Sequence, residues 1–250
     1  MILIKTDHEI AIMEEGGKIL AKIVKQLGQI VKPGITTQEL DRIAESLILQ
    51  SGAKPGFKGY NNYPTTLCSS INQVIVHGVP CDYKLKQGDI ISLDLGLKYK
   101  GYFSDMAITV PVGDVKPEVL RLIKATKKAL KRGIKKTRPG NTFGDIGNTI
   151  QRYAESQGFN VVRDLCGHGI GKDLHEDPQV LNYGKRHTGQ KIKQGMVFCI
   201  EPILTTGDWR IKKSKDHCGF ETVDNSLSCH FEHQVAVTKF GCKILTEMRK

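Results

Sequence analysis

No stretch of this 250-residue chain approaches the roughly 20 consecutive apolar residues that a membrane-spanning helix needs, so a helical membrane protein is not expected. Acids at Asp7, Glu9, Glu14 and Glu15 spoil a signal-peptide reading of the first residues, and the expected location is cytoplasmic. The cysteines (Cys68, Cys81, Cys166, Cys199, Cys218, Cys229 and Cys242) include no C-x-x-C pair, and their odd number argues for reduced thiols rather than a disulfide framework. A phosphate loop is missing too: Gly167-His168-Gly169-Ile170-Gly171 lacks the Lys-Ser/Thr that G-x-x-x-x-G-K-[ST] requires. With 39% hydrophobic and 25% charged residues, neither a disordered chain nor a fibre fits. The length allows a sizeable buried core, in one domain or two small ones.

Acids are scarce in one region. Ten basic residues lie between Lys116 and Arg138 with Glu118 as the single acid among them, in a chain of formal net charge +11. Lys124, Lys127/Lys128, Lys131/Arg132 and Lys135 recur every three or four residues, which predicts a helix with one strongly basic face. That face is either a solvated exterior or a docking surface for a polyanion such as ribosomal RNA.

What the chain does contain is a repeated phrase. Lys86-Gln87-Gly88-Asp89-Ile90-Ile91-Ser92-Leu93-Asp94 returns as Lys193-Gln194-Gly195-Met196-Val197-Phe198-Cys199-Ile200-Glu201, at an offset of 107 residues. Lys32-Pro33-Gly34-Ile35-Thr36 and Arg138-Pro139-Gly140-Asn141-Thr142 repeat at an offset of 106. Helix signals follow the same plan. Thr6-x-x-Glu9 and Thr36-x-x-Glu39 are capping boxes ahead of apolar positions at helical spacing, and the later half offers the basic helix near 117–136 and a new start at Asn141/Thr142. Strands are expected over 74–77, 89–97, 102–110, 160–163, 196–204, 231–238 and 243–245. The two halves, about 6–113 and 114–246, are expected to form one catalytic domain spanning 1–250.

Alternation along the strands sets Ile91, Leu93 and Leu95 on one face and Ser92 and Asp94 on the other. Phe198 and Ile200 likewise oppose Cys199 and Glu201, and Val235 and Val237 oppose Glu232, Gln234 and Ala236. With Asp105 at the head of Asp-Met-Ala-Ile-Thr-Val, four carboxylates fall on the faces opposite the helices. Converging there, they would repel one another and hold their protons unless cations compensate, and two divalent ions balance four charges. His77, His168 and His175 could supply nitrogen, although a lone histidine beside glycines is often a loop residue. His217-Cys218 with Cys229-His230 imitates a zinc clip only weakly, because its spacing is wrong.

His77, Asp94, Asp105 eleven residues on, His168 in Gly-His-Gly-Ile-Gly, His175, Glu201 before Pro202 and Glu232 before His233 together resemble the type I methionine aminopeptidases, from about Thr6 to Leu245 and in the compact bacterial form. The resemblance implies an α+β pita-bread fold, with two pseudo-twofold-related α-β halves and antiparallel sheet around a central metal site. It further implies removal of the initiator methionine from nascent polypeptides, by a monomer, when the second residue is small. By this likeness Asp94, Asp105, His168, Glu201 and Glu232 hold two divalent ions (Co, Mn, Fe or Zn), bridged by Asp105 and Glu232. A hydroxide between the ions would attack the scissile carbonyl, with Glu201 as proton shuttle and His77 and His175 contacting substrate. Phe57, Tyr60, Tyr63, Cys68 and Leu174 would form the methionine pocket. Three positions depart from the family pattern: Phe57 is larger than usual, Leu174 replaces a usual Phe and Cys218 a usual Trp, while the single Trp209 lies in a segment, 207–220, unlike the family. Two other readings stay open: an Xaa-Pro peptidase of the same fold, and a non-catalytic relative that binds ribosome or nucleic acid through the basic helix.

Overall fold

Thr6 and Thr36 cap the first two helices as their sequence contexts predict. The computed structural model describes residues 1–215 and 218–248. Helix α1 spans Asp7–Ile30, and the Glu9 backbone N–H donates to Thr6 Oγ1 at 3.3 Å while the Glu9 carboxylate accepts from the Thr6 N–H at 2.8 Å. Its inner face buries Met13, Leu20, Val24 and Leu27. Gly17 lies on that face because a Cβ there would stand 2.4 Å from the Leu245 carbonyl oxygen. Lys32-Pro33-Gly34 ends the helix, and α2 (Thr37–Gln50) starts from its own capping box.

Five strands follow: β1 (Lys54–Pro55), β2 (Leu67–Ile71), β3 (Val74–Val76), β4 (Ile90–Tyr99) and β5 (Tyr102–Pro111). The basic helix α3 (Pro117–Ile134) opens with Pro at its first turn, and α4 (Phe143–Ser156) is capped by Thr142 with Asp145. Then come β6 (Asn160–Val161), β7 (Gly167–Gly169), β8 (Glu176–Val180), β9 (Val197–Ile200), β10 (Ile203–Thr205), β11 (Ile211–Lys213), β12 (Phe220–Thr222), β13 (Ser228–His230), β14 (His233–Val237) and β15 (Cys242–Ile244). The single strand expected over 196–204 is two. Pro202 has no N–H to donate, so β9 stops just before Glu201, and β10 continues in a different sheet.

One sheet has the order β1-β4-β2 with β5 on β4, and its counterpart runs β15-β14-β9-β7-β8, every pairing antiparallel. Leu93, Leu95 and Leu97 pack with Leu20, Leu27, Leu40 and Ile48 beneath the first sheet, and Phe198, Ile200, Val235 and Val237 pack with α3 and α4 residues beneath the second. The apolar faces therefore point to the helices, as alternation predicts. The two halves are stitched along β5. The Glu232 N–H donates to the Ala107 carbonyl at 2.9 Å, and Thr109 Oγ1 both donates to the His230 carbonyl at 2.7 Å and accepts from the His230 N–H at 2.9 Å. Among the described residues no helix is long and apolar enough to cross a membrane.

Candidate metal centre

The β4–β5 register sets Asp94 opposite Ala107 and Asp105 opposite Gly96, so both acids stand on one face of the hairpin as diagonal neighbours. Glu232 reaches the same point from the crossing between β13 and β14. One oxygen each from Asp94, Asp105 and Glu232 lies within 4.8 Å of the other two. These are among the most buried polar residues, at 9, 4 and 2% exposure. Asp94 Oδ1, Asp105 Oδ1 and Glu232 Oε1 have no hydrogen-bond partner among the described residues.

Buried carboxylates in this state hold their protons. Burial first, with Glu201 adding repulsion against the pull of His230, raises the Asp94 pKa to about 7, and burial with mutual repulsion pushes Asp105 and Glu232 well above the carboxylate range. Orphaned, crowded oxygens are costly unless a cation faces them, and this donor set suits a divalent metal.

His168 joins from β7, where its flanking glycines are required. A Cβ at Gly167 would lie 2.3 Å from the Cys199 carbonyl oxygen, and one at Gly169 only 2.0 Å from that of Asp177. His168 Nδ1 is 2.9 Å from the Gly169 carbonyl, to which it can only donate, so Nε2 carries the lone pair. That nitrogen stands 3.8 Å from Asp105 Oδ2 and 3.9 Å from Glu201 Oε1. All five residues picked out by the family resemblance as ligands therefore surround one spot.

The spot forms the floor of a cavity of about 830 Å³, whose walls include Phe57, Tyr60, Tyr63, Cys68, His77, Leu174 and His175. Phe57 lies over Gly96, where a Cβ would meet its ring at 2.4 Å, so the acid face of β4 is kept bare to seat an aromatic wall. Cys68 sits opposite Asp94 across the β2–β4 pair. Tyr63 is pinned by its hydroxyl, which lies 3.0 Å from the Gly78 carbonyl and 3.2 Å from that of Leu67. Tyr60 Oη meets His175 Nδ1 at 2.8 Å, and the His175 ring stands edge-on to that of His168 with centroids 4.3 Å apart. Partial burial, then His168, lowers the His175 pKa to about 4; burial also lowers that of His77. Both imidazoles are neutral near pH 7. His77 holds a left-handed backbone at φ 57° and packs its ring against Phe220 of β12.

One neighbour was not among the sequence candidates in this role. His230, 2% exposed, places Nε2 3.5 Å from Glu201 Oε2. Burial opposes its protonation and Glu201 favours it, with Glu201 prevailing, so its pKa is raised. The sequence offers it only as half of a zinc clip. Cys229 beside it is fully buried in the second core, whereas Cys218 lines the cavity, and neither falls in a metal-ligand cluster among the described residues; His217 lies outside the described residues.

Unpartnered acids and neutral imidazoles on the floor of an open cavity define a metal-dependent hydrolase. The model of metallopeptidase family M24 matches residues 11–239. A methionine aminopeptidase of Bacillus subtilis is 44% identical over 248 residues, covering 99% of this chain and 100% of the relative. The crystal structure of methionine aminopeptidase from Rickettsia prowazekii superposes with a TM-score of 0.97 at 40% identity, over 99% of this chain and 100% of that one. A prolidase from Pyrococcus furiosus matches with a TM-score of 0.80 at 25% identity, over 99% of this chain and 66% of that one. The chain belongs to metallopeptidase family M24 and, within it, to the methionine aminopeptidases; its fold is the α+β pita-bread fold, and its family works with divalent metal.

Proposed function

We propose that this chain removes the N-terminal methionine from nascent polypeptides whose second residue is small. The observation that carries this reading is the convergence of Asp94, Asp105 and Glu232, with unpartnered oxygens, on the floor of a cavity large enough for a peptide terminus. In this reading Asp94, Asp105, His168, Glu201 and Glu232 would hold two divalent ions of the Mn, Fe, Co or Zn type. Ions held there would supply Lewis-acid charge to polarise the scissile carbonyl and to lower the pKa of water towards neutrality.

The chain's own groups do the rest. Glu201 is less buried than the other acids, with a side chain 12% exposed, so it can take a proton from the attacking water and return it to the leaving amine. His230, 3.5 Å from its Oε2, steadies the carboxylate. With the Tyr60 hydroxyl donating to Nδ1, His175 carries its proton on Nε2 and can donate to the carbonyl oxygen as charge builds there. His77, also in the cavity wall, is a second neutral imidazole that can donate to the same oxygen. Phe57, Tyr60, Tyr63, Cys68 and Leu174 form a pocket that suits a flexible thioether side chain.

Methionine release from peptides of the Met-X-Ser type, with the second residue varied and each metal supplied in turn, tests this directly. Release should be metal-dependent and greatest for Ala or Gly at X; a folded, metal-loaded protein that releases no methionine sinks the reading. Work on nascent chains in the cytoplasm is consistent with the unbridged thiols of Cys68, Cys81, Cys166, Cys199, Cys229 and Cys242. The basic face of α3, exposed at Lys124, Lys127, Lys128 and Lys131 and continued by Lys135 just past its end, supports an additional contact with ribosomal RNA.

A further inference from the structure

Among the described residues of the second sheet's strands, Cys199 is the sulfur that stands on the acid face. Alternation along β9 turns Phe198 and Ile200 into the core and Cys199 towards the same side as Glu201, opposite Gln234 of β14. It is fully buried. Its Sγ, a ring nitrogen of His168 and a carboxylate oxygen of Glu232 all lie within 4.8 Å of one another. Glu232 Oε1, itself buried, has no partner among the described residues. A nitrogen, a sulfur and an oxygen thus converge beside the all-oxygen triad of Asp94, Asp105 and Glu232, sharing Glu232 with it.

We propose that Cys199 is a soft donor that draws thiophilic divalent ions such as Cd²⁺ or Zn²⁺ to a His168–Cys199–Glu232 site, while the neighbouring Asp94–Asp105–Glu232 oxygens serve harder ions such as Mn²⁺. The inference rests on the metallopeptidase reading, because it assumes that cations occupy this floor. Its physical basis is ligand softness: thiolate favours Zn²⁺ and related ions, and carboxylate oxygen favours Mg²⁺ or Mn²⁺. As the S–metal bond forms, the S–H bond breaks and the proton leaves to solvent. The two triads share Glu232, so a soft ion seated on sulfur competes with full loading of the oxygen site. Cysteine at 199 therefore sets which metal this chain keeps.

Metal-depleted protein titrated with Cd²⁺ tests this, read by the ultraviolet thiolate-to-metal charge-transfer band and by calorimetry. The wild type and Cys166→Ser, which removes a thiol of the cavity wall, should show the band. Cys199→Ser and Cys199→Ala should lose it and bind Cd²⁺ about tenfold or more weakly, with Mn²⁺ affinity changed less than about twofold. A wild type without the band, or a band that persists in both Cys199 variants, overturns the proposal. If neither variant folds, alkylation of the wild type read by mass spectrometry decides: Cd²⁺ should protect Cys199, and alkylation of Cys199 at an unchanged rate with Cd²⁺ bound overturns the proposal. Met release with Mn²⁺ in the same preparations separates the two readings: turnover without the band removes the sulfur site alone, whereas no divalent binding of any kind removes the metallopeptidase reading too.

Discussion

The two halves reach the same centre by different routes. The first delivers Asp94 and Asp105 on one unbroken hairpin, β4 and β5, ten residues each and joined by a tight turn at Lys100-Gly101. The second delivers Glu201 and Glu232 from β9 and β14, which also pair, but between them the chain leaves the sheet at Pro202 for an excursion over 203–230 that pairs with β3 of the first half. The hairpin fixes its acids in a sheet core. The broken half leaves Glu201 and His168 with side chains 12 and 13% exposed, against 6% for Asp105, while its Glu232 stays as buried as the hairpin acids. A duplicated motif has thus been divided into a rigid anchor and a working edge that faces substrate.

The largest effect expected from this division is at the working edge. Glu201→Gln keeps size and hydrogen-bonding capacity but removes the base, and kcat should fall by about 10²–10⁴. Asp94→Asn should act first on metal affinity. Calorimetry alongside turnover checks the contrast, and it breaks if Glu201→Gln turns over normally once saturated with metal.

Two glycines sharpen the comparison on stability. Ala at Gly169 would place Cβ 2.0 Å from a backbone oxygen of Asp177, which cannot move without unpairing β7 from β8. Ala at Gly96 meets the far edge of the Phe57 ring at 2.4 Å, and a side chain can swing. Gly169→Ala should therefore cost about 3 kcal/mol or more in urea unfolding, and Gly96→Ala about 1–2 kcal/mol with a raised KM as Phe57 is displaced into the pocket. Equal losses at the two sites would contradict the picture of a stiff metal strand beside an adjustable wall.

A smaller effect separates the centre from the rest of the fold. Asp94 has its folded pKa raised to about 7, so its protonated form stabilises the metal-free protein below the ordinary carboxylate pKa, and that contribution is lost as pH rises through about 7. Asp105 and Glu232 shift in the same direction. Metal-depleted protein should lose more stability on alkalinisation than metal-loaded protein, and the rise in Tm on adding Mn²⁺ should be greater near pH 8 than near pH 5.5. Differential scanning at the two pH values measures this; an equal rise at both would remove the cation from the account of these acids.

Much of this was legible in the sequence because it is local. Capping boxes at Thr6 and Thr36, the stops at Pro33-Gly34 and Pro139-Gly140, and the period-two runs through Asp94 and Asp105 depend on neighbours within a few residues. The repeat then located the acids, and the family resemblance named the ligands and pocket. What stayed hidden depends on long-range contact. His230 meets Glu201 only because β13 pairs with β10, the bond from Tyr60 to His175 spans 115 residues, and Cys199 reads as an ordinary strand residue until His168 and Glu232 are beside it. The break at Pro202 had a local signal, since proline cannot donate within a sheet, but the apolar residues on either side of Glu201-Pro202, Met196 to Ile200 and Ile203-Leu204, masked it.

The smallest expected change concerns the helices that cover the two sheets. On α1 the outward acids are paired, Glu14 with Lys18 and Lys243 and Glu15 with Lys100, whereas among the described residues no carboxylate pairs with a lysine or arginine of α3. Several α3 cations instead lie over aromatic rings, as Arg132 does over Tyr153 at 4.3 Å, which leaves Lys124 and Lys131 of the helix and Lys135 just beyond its end as exposed charge on the outer surface. Reversing Lys124, Lys128 and Lys135 to Glu should change stability by no more than about 0.5 kcal/mol each. Small-peptide turnover should be unaltered, because α3 packs beneath the sheet on the side away from the acids. Ribosome co-sedimentation should weaken, and the loss should shrink as salt rises, since phosphate contacts act by releasing counterions. Unchanged co-sedimentation at low salt would make the basic face a solvated exterior, and the difference between the two helices would then be one of charge pairing alone.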